Sequence, residues 1–190
     1  MSNKFSESER KAVLKFVRGV LEAYTVCGSE PAEPDIARLR EKGGCFVSLF
    51  DGDTLRGCIG TLAGVEPLGR NLARNVVNAA FADPQVPPPV VEELPDISIE
   101  LSFPGEEKRI NSPEEILNGI DGVVLKYCGR KVLFLPQVIA ECNWDNLETL
   151  QKLSEKAGSA ADFWQSEEVE ISTFRIIECF GEERRSLPDF

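Results

Sequence analysis

The apolar positions of this chain change period several times, and each change marks an element. Ser6-Glu7-Ser8-Glu9 has the spacing of a capping box, in which a hydroxyl and a carboxylate three residues apart satisfy each other's backbone N–H. Val13, Leu14, Phe16, Val17, Val20, Leu21 and Tyr24 follow at helical spacing, so a helix is expected to about residue 26, ended by Cys27-Gly28-Ser29. Residues 29 to 44, with Pro31 and Pro34, read as a connector with one helical turn near Ile36–Leu39. From Cys45 to Leu62 the pattern is strand, turn, strand, with Asp51-Gly52-Asp53 as the turn. Pro67 opens a second helix striped by Leu68, Leu72, Val76, Ala79, Ala80 and Phe81, and Asp83-Pro84 stops it.

The second half continues in the same way. Asp83 to Pro89 is too rich in proline for helix or central strand and reads as a stiff loop. Ile97 to Phe103 alternates cleanly, with Ser98, Glu100 and Ser102 on the polar side. Ser112-Pro113-Glu114-Glu115 reads as a second capping box, opening a short helix to about Asn118. Asp121 to Leu135 is another hairpin, turning at Gly129, and Pro136 leads into a helical turn ending near Cys142. Asp145 and Glu148 cap a helix carrying Leu147, Leu150 and Leu153, with Trp144 and Trp164 as anchors beneath it, and a strand from Val169 to Phe180 closes the fold. Each hairpin, at Gly52 and at Gly129, runs into a proline-started helix, which suggests a duplicated unit.

Composition narrows the class. At 190 residues the chain is read as a single domain, or one domain with a small lobe, with its core at about residues 8 to 180. A net charge of −11 opposes nucleic acid and anionic membranes as main partners, since both call for a cationic surface. Runs such as Glu106-Glu107 and Glu182-Glu183 read as solvated faces. No apolar run is long enough to span a bilayer and the first residues lack an apolar signal segment, so a cytoplasmic protein is expected. The six cysteines form no C-x-x-C pair and read as free thiols, mostly buried. There is no histidine, which excludes Ser-His-Asp and Cys-His catalysis and His-ligated metals within this chain. No cofactor and no metal site is expected.

The stretch Leu55-Arg56-Gly57-Cys58-Ile59-Gly60 departs from what a strand asks for. Strict alternation places Arg56 and Cys58 on one face, opposite Leu55 and Ile59. Gly57 and Gly60 leave room for a close approach to the backbone. Aligning the two turn glycines sets Leu55-Arg56-Gly57-Cys58 against Val132-Leu133-Phe134-Leu135, so the first copy carries polar chemistry where the second carries buried-strand residues.

With this hexapeptide the chain resembles the AMMECR family. The likeness extends through Pro67-Leu68, Ala79-Ala80-Phe81, Asp83-Pro84, Pro87-Pro88, Glu93-Leu94, Ile99-Glu100-Leu101-Ser102, Asp121-Gly122-Val123, Phe134-Leu135-Pro136-Gln137-Val138, Lys156-Ala157-Gly158 and Trp164. It implies an α+β fold in which duplicated three-strand, two-helix units form a single barrel-like, largely antiparallel sheet with flanking helices. It also implies a cleft near the hexapeptide, but no activity. Association of such domains with Memo-type and radical-SAM proteins makes those candidate partners. Gln85 and Val86 stand where the family usually has Arg-Phe, and Ser154 where it often has Cys, so those groups play no part here.

Two functions follow as expectations. In one, the chain is a binding or accessory module whose cleft, with Arg56, Gly57, Gly60, Asp83 and Pro87, takes a small ligand or a partner's peptide. In the other it is a cofactor-free enzyme with Cys58 as nucleophile, its thiolate favoured by Arg56, and Glu100 as acid or base. Cys58 read simply as packing, and Arg56 with Glu100 read simply as a cross-strand ion pair, stand beside these.

Overall fold

The structure is a computed structural model that describes residues 4–82 and 87–184. The chain forms two compact units, one from residues up to Phe103 together with those from Glu178 onward, the other from Pro104–Ile177. It is α+β, its paired strands are antiparallel wherever their register is defined, and helices flank them.

The first unit begins with helix α1 (Glu7–Thr25). The expected box caps it: Ser6 Oγ accepts from the Glu9 N–H at 3.3 Å and the Glu9 carboxylate from the Ser6 N–H at 2.8 Å. After the short helix α2 (Ala37–Arg40), strands β1 (Cys45–Asp51) and β2 (Thr54–Thr61) form the first hairpin. Helix α3 (Leu68–Phe81) follows, then strand β3 (Ile97–Pro104). Val17, Val20 and Leu21 of α1 and Leu72 and Val76 of α3 close a core with Val47 and Leu49 of β1 and Ile99 and Leu101 of β3. Each such side chain, fully buried, stabilises the fold by about 1.5–3 kcal/mol. Tyr24, at the end of the α1 stripe, is exposed instead. One buried polar group stands out: the Glu178 side chain, 1% exposed, takes ion pairs from Arg10 at 3.1 Å and Arg38 at 2.5 Å. It also accepts the Phe5 N–H at 3.1 Å.

The second unit contains β4 (Lys108–Arg109), β5 (Asp121–Tyr127), β6 (Arg130–Phe134), the helices α4 (Pro136–Glu141) and α5 (Asn146–Lys156), and most of β7 (Glu170–Gly181). Asp145 and Glu148 form the expected capping box on α5. Leu150 and Leu153 pack with Val123, Leu125 and Ile139, with Trp144 and Trp164 against them. Leu147 is exposed, because the buried face of α5 runs through Thr149, Leu150, Leu153 and Ser154.

The two units repeat one order of elements. In the first, β1 pairs with its hairpin partner β2 and with β3, the strand after the helix. In the second, β5 pairs with β6 and with β7 in the same way. The turn glycines Gly52 and Gly129 have φ of 56° and 76°, the left-handed region that tight hairpins require.

Several expectations need correction. The box expected at Ser112 is displaced: Ser112 Oγ accepts from Glu114, while the Glu115 carboxylate takes the Asn111 N–H at 2.8 Å. Only the single 3-10 turn Pro113–Glu115 forms, since Ile116 turns extended and is buried in the core. Glu107 and Glu182 are not freely solvated; Glu107 pairs with Lys131, and Glu182 with Arg18 and the Ile99 N–H. Of the cysteines only Cys45 is buried; Cys58 is intermediate and Cys27, Cys128, Cys142 and Cys179 are exposed. Among the described residues no helix is long and apolar enough to cross a membrane, and no group of three or more Cys, Asp or Glu side chains is placed to hold a metal ion.

Candidate functional site

Cross-strand partners share a sheet face, as do residues two apart on one strand. By that rule Val47 and Leu49 of β1 face the core, together with Ile59 of β2 and Ile99 and Leu101 of β3. Phe46, Ser48 and Phe50 face the other way. With them go Cys58 of β2 and Ser98, Glu100 and Ser102 of β3.

Ser48 is the centre of this second face, opposite Cys58 on one side and Glu100 on the other. Its hydroxyl donates to Cys58 Sγ at 3.3 Å. Cys58 and Glu100 therefore lie on one face but two strand spacings apart, about 10 Å through the backbone, with Ser48 between them. The Glu100 carboxylate is 3.5 Å from the Arg184 guanidinium, which stacks 3.7 Å from the centre of the Phe50 ring. Further along the face the Cys179 thiol meets Ser102 Oγ at 3.4 Å. Although the residue as a whole is exposed, its sulfur is partly covered, and that loss of hydration, aided by the Glu100 charge, pushes the thiol up from its ordinary range against the opposing Ser102 hydrogen bond.

Arg56 does not join this row. Leu49 pairs with Gly57 but Phe50 pairs with Leu55, so Arg56 is the extra residue of a β-bulge. Strict alternation fails there, and Leu55 shares the face of Phe50 and Cys58 rather than opposing it. The Arg56 guanidinium pairs with Glu93 at 2.9 Å and donates to the Pro87 carbonyl at 3.3 Å. The Glu93 carboxyl is held below its usual range, first by the Val90 N–H and then by Arg56. The simple Arg56–Glu100 cross-strand pair is thus absent, and each residue has a different partner.

The room left by the two glycines is occupied from within. A side chain at Gly57 would stand 2.3 Å from the Ala79 carbonyl of α3, and one at Gly60 would stand 2.2 Å from the Phe46 ring. Asp83 lies outside the described residues. A cavity of about 710 Å³ in this unit is lined by Arg18, Leu94, Ile97, Ser98 and Glu182 among others, and by no residue of the hexapeptide. Sequence reasoning missed Ser48, Glu93 and Arg184. Ser48 was visible as the one polar position in Cys45-Phe46-Val47-Ser48-Leu49-Phe50, whereas Arg184 follows the last strand and carries no local signal.

Comparison with known proteins agrees with the fold. A protein from Methanocaldococcus jannaschii is 36% identical over 169 residues, covering 85% of this chain and 84% of its own length. One from Methanopyrus kandleri is 33% identical, covering 99% and 95%. The crystal structure of an uncharacterised protein from Pyrococcus horikoshii matches with a TM-score of 0.83 at 31% identity, over 90% of each chain. The AMMECR1 family profile matches residues 14–179, and with the hexapeptide on its bulged strand the chain belongs to the AMMECR1 family.

Proposed function

We propose that this chain is a binding module whose recognition face is the row Cys58, Ser48 and Glu100, with Arg184 as the countercharge. Such a row offers a thiol, a hydroxyl and a balanced ion pair to a small polar ligand or to a peptide of a partner protein. The observation that carries this reading is the placement of Ser48. It stands between the thiol and the carboxylate, and the Glu100 carboxylate is turned to the Arg184 guanidinium. The cation expected to favour a thiolate, Arg56, is engaged by Glu93. A nucleophilic Cys58 would need a base in contact with it or a strongly favoured thiolate.

Alkylation by iodoacetamide, followed against pH with assignment of each labelled site by mass spectrometry, separates the binding module from the enzyme. Cys58 is expected to label more slowly than the exposed Cys27, Cys128 and Cys142. Cys45 should be slowest, because burial pushes its thiol up to about 12. If Cys58 instead labels first, with a titration below about 7.5, the nucleophile reading replaces the binding module.

A further inference from the structure

A second candidate site lies wholly in the second unit and is independent of the Cys58 face. The hairpin β5–β6 pairs Tyr127 with Arg130 and Leu125 with Val132, so these four side chains share one face. That face lines a cavity of about 840 Å³, completed by Lys156 and Ala157 at the end of α5. Leu125 and Val132 supply an apolar floor and Tyr127 a ring, set edge-on against Phe163 at 4.8 Å. Among the described residues the cavity lining contains no carboxylate, in a chain whose net charge is −11. Lys131 also borders it, but that ammonium pairs with Glu107 at 2.6 Å.

Arg130 is the distinctive group. It is exposed at the start of β6, and its guanidinium has no ion pair or hydrogen bond among the described residues. Lys156 adds a second cation; its ammonium donates to the Leu133 carbonyl at 3.0 Å and lies 4.6 Å from the centre of the Phe134 ring. Two effects oppose an anion here. Glu168 interacts with Tyr127, and the C-terminal end of α5 presents about half a negative charge. The helix end is already tied back, because the N–H groups of Ala157, Gly158 and Ser159 bond to carbonyls of its last turns. A full guanidinium and a full ammonium exceed the Glu168 carboxylate and that partial charge taken together, leaving a small positive balance.

We propose that this cavity binds a small organic anion, a phosphate or carboxylate head on an apolar or aromatic body. The head lies against Arg130 and Lys156, and the body lies over Leu125, Val132 and the Tyr127 ring. Guanidinium suits both heads, because its planar fork matches two oxygens at once.

The test is titration of the full chain with phenyl phosphate and with benzoate, followed by amide shifts in NMR spectra. Inorganic phosphate and benzylamine serve as comparisons. Saturable shifts are expected at residues 125–132 and 156–159, weakening as salt rises. Arg130→Glu should lower the affinity about tenfold or more, the scale of one lost charge-assisted contact. Arg130 is exposed, so this variant should keep the fold, to be checked by its melting curve; Lys156→Gln gives a second reading of the same loss. No saturable shift with either organic anion, an affinity unchanged in both variants, or equal binding of benzylamine overturns the site. Inorganic phosphate binding as tightly as phenyl phosphate overturns the assignment of an apolar body.

Discussion

Gly57→Ala tests whether the hexapeptide glycine serves packing or a ligand. The added methyl carbon would stand 2.3 Å from the Ala79 carbonyl oxygen, closer than ordinary contact by about 1.1 Å. That oxygen belongs to the helix backbone near the end of α3, and Ala79 is 2% exposed, so no flexible side-chain end can swing aside. Forcing a methyl into such a place costs about 1–3 kcal/mol. Removing glycine's extra unfolded-state freedom returns about 0.5–1 kcal/mol. Because the clash is with fixed backbone, the upper part of that cost applies, about 2–3 kcal/mol, and the net is a loss of about 1–2.5 kcal/mol, or about 2–10 °C in Tm for a chain of this size. Urea and thermal melts would measure it, and hydrogen exchange at residues 76–81 should quicken, because α3 has to move. Two controls separate the causes. Leu55→Ala, at an exposed neighbour, should stay within about 0.5 kcal/mol. Gly129→Ala meets nothing within 4 Å and should lose stability only through its φ of +76°. A Gly57→Ala protein that melts at or above the wild-type temperature would refute the packing account, and would return Gly57 to the ligand role expected from sequence.

Glu178→Ala should destabilise the protein by about 3–5 kcal/mol, since it strands Arg10, Arg38 and the Phe5 N–H around a buried position; a loss under about 1 kcal/mol in urea melts would show that the cluster is idle. The Arg56–Glu93 contact should depend on acid. Glu93 is depressed in the folded chain, so its stabilising contribution is complete above the ordinary carboxylate range and is lost as pH falls through the lowered folded value. The Arg56 side-chain NMR signals should therefore shift on acidification to below about pH 4, and Glu93→Gln should abolish that titration; an unchanged profile in the variant would reject the pairing.

How much was legible depended on whether the cause was local. Ser6 with Glu9, Asp145 with Glu148, and the turns at Gly52 and Gly129 are set by residues within one turn, and they formed as expected. The repeated order of hairpin and helix was visible for the same reason, and the third strand of each unit came from the family resemblance. Arg56 was misplaced because alternation assumes equal residue counts on both strands, while one extra residue at the bulge redirects it to Glu93, thirty-seven positions away. Glu107 and Glu182 looked solvated because their partners, Lys131 and Arg18, come from distant segments. The glycines were read correctly as points of close approach; what approaches is α3 and Phe46.

The division of the first unit between the two ends of the chain has a consequence for biosynthesis. Glu178, which holds Phe5, lies 173 residues after it, and β7, the strand that follows β3 in the sheet, is made only after β4, β5 and β6. A growing chain that has reached Phe103 has β1, β2 and α3 in hand, yet lacks the carboxylate for Arg10 and Arg38 and leaves one edge of β3 unpaired. The second unit, continuous from Pro104 to Ile177, can close in the meantime without waiting. Of the two units the one begun earlier is thus completed later, and until then its open β3 edge is exposed to mispairing.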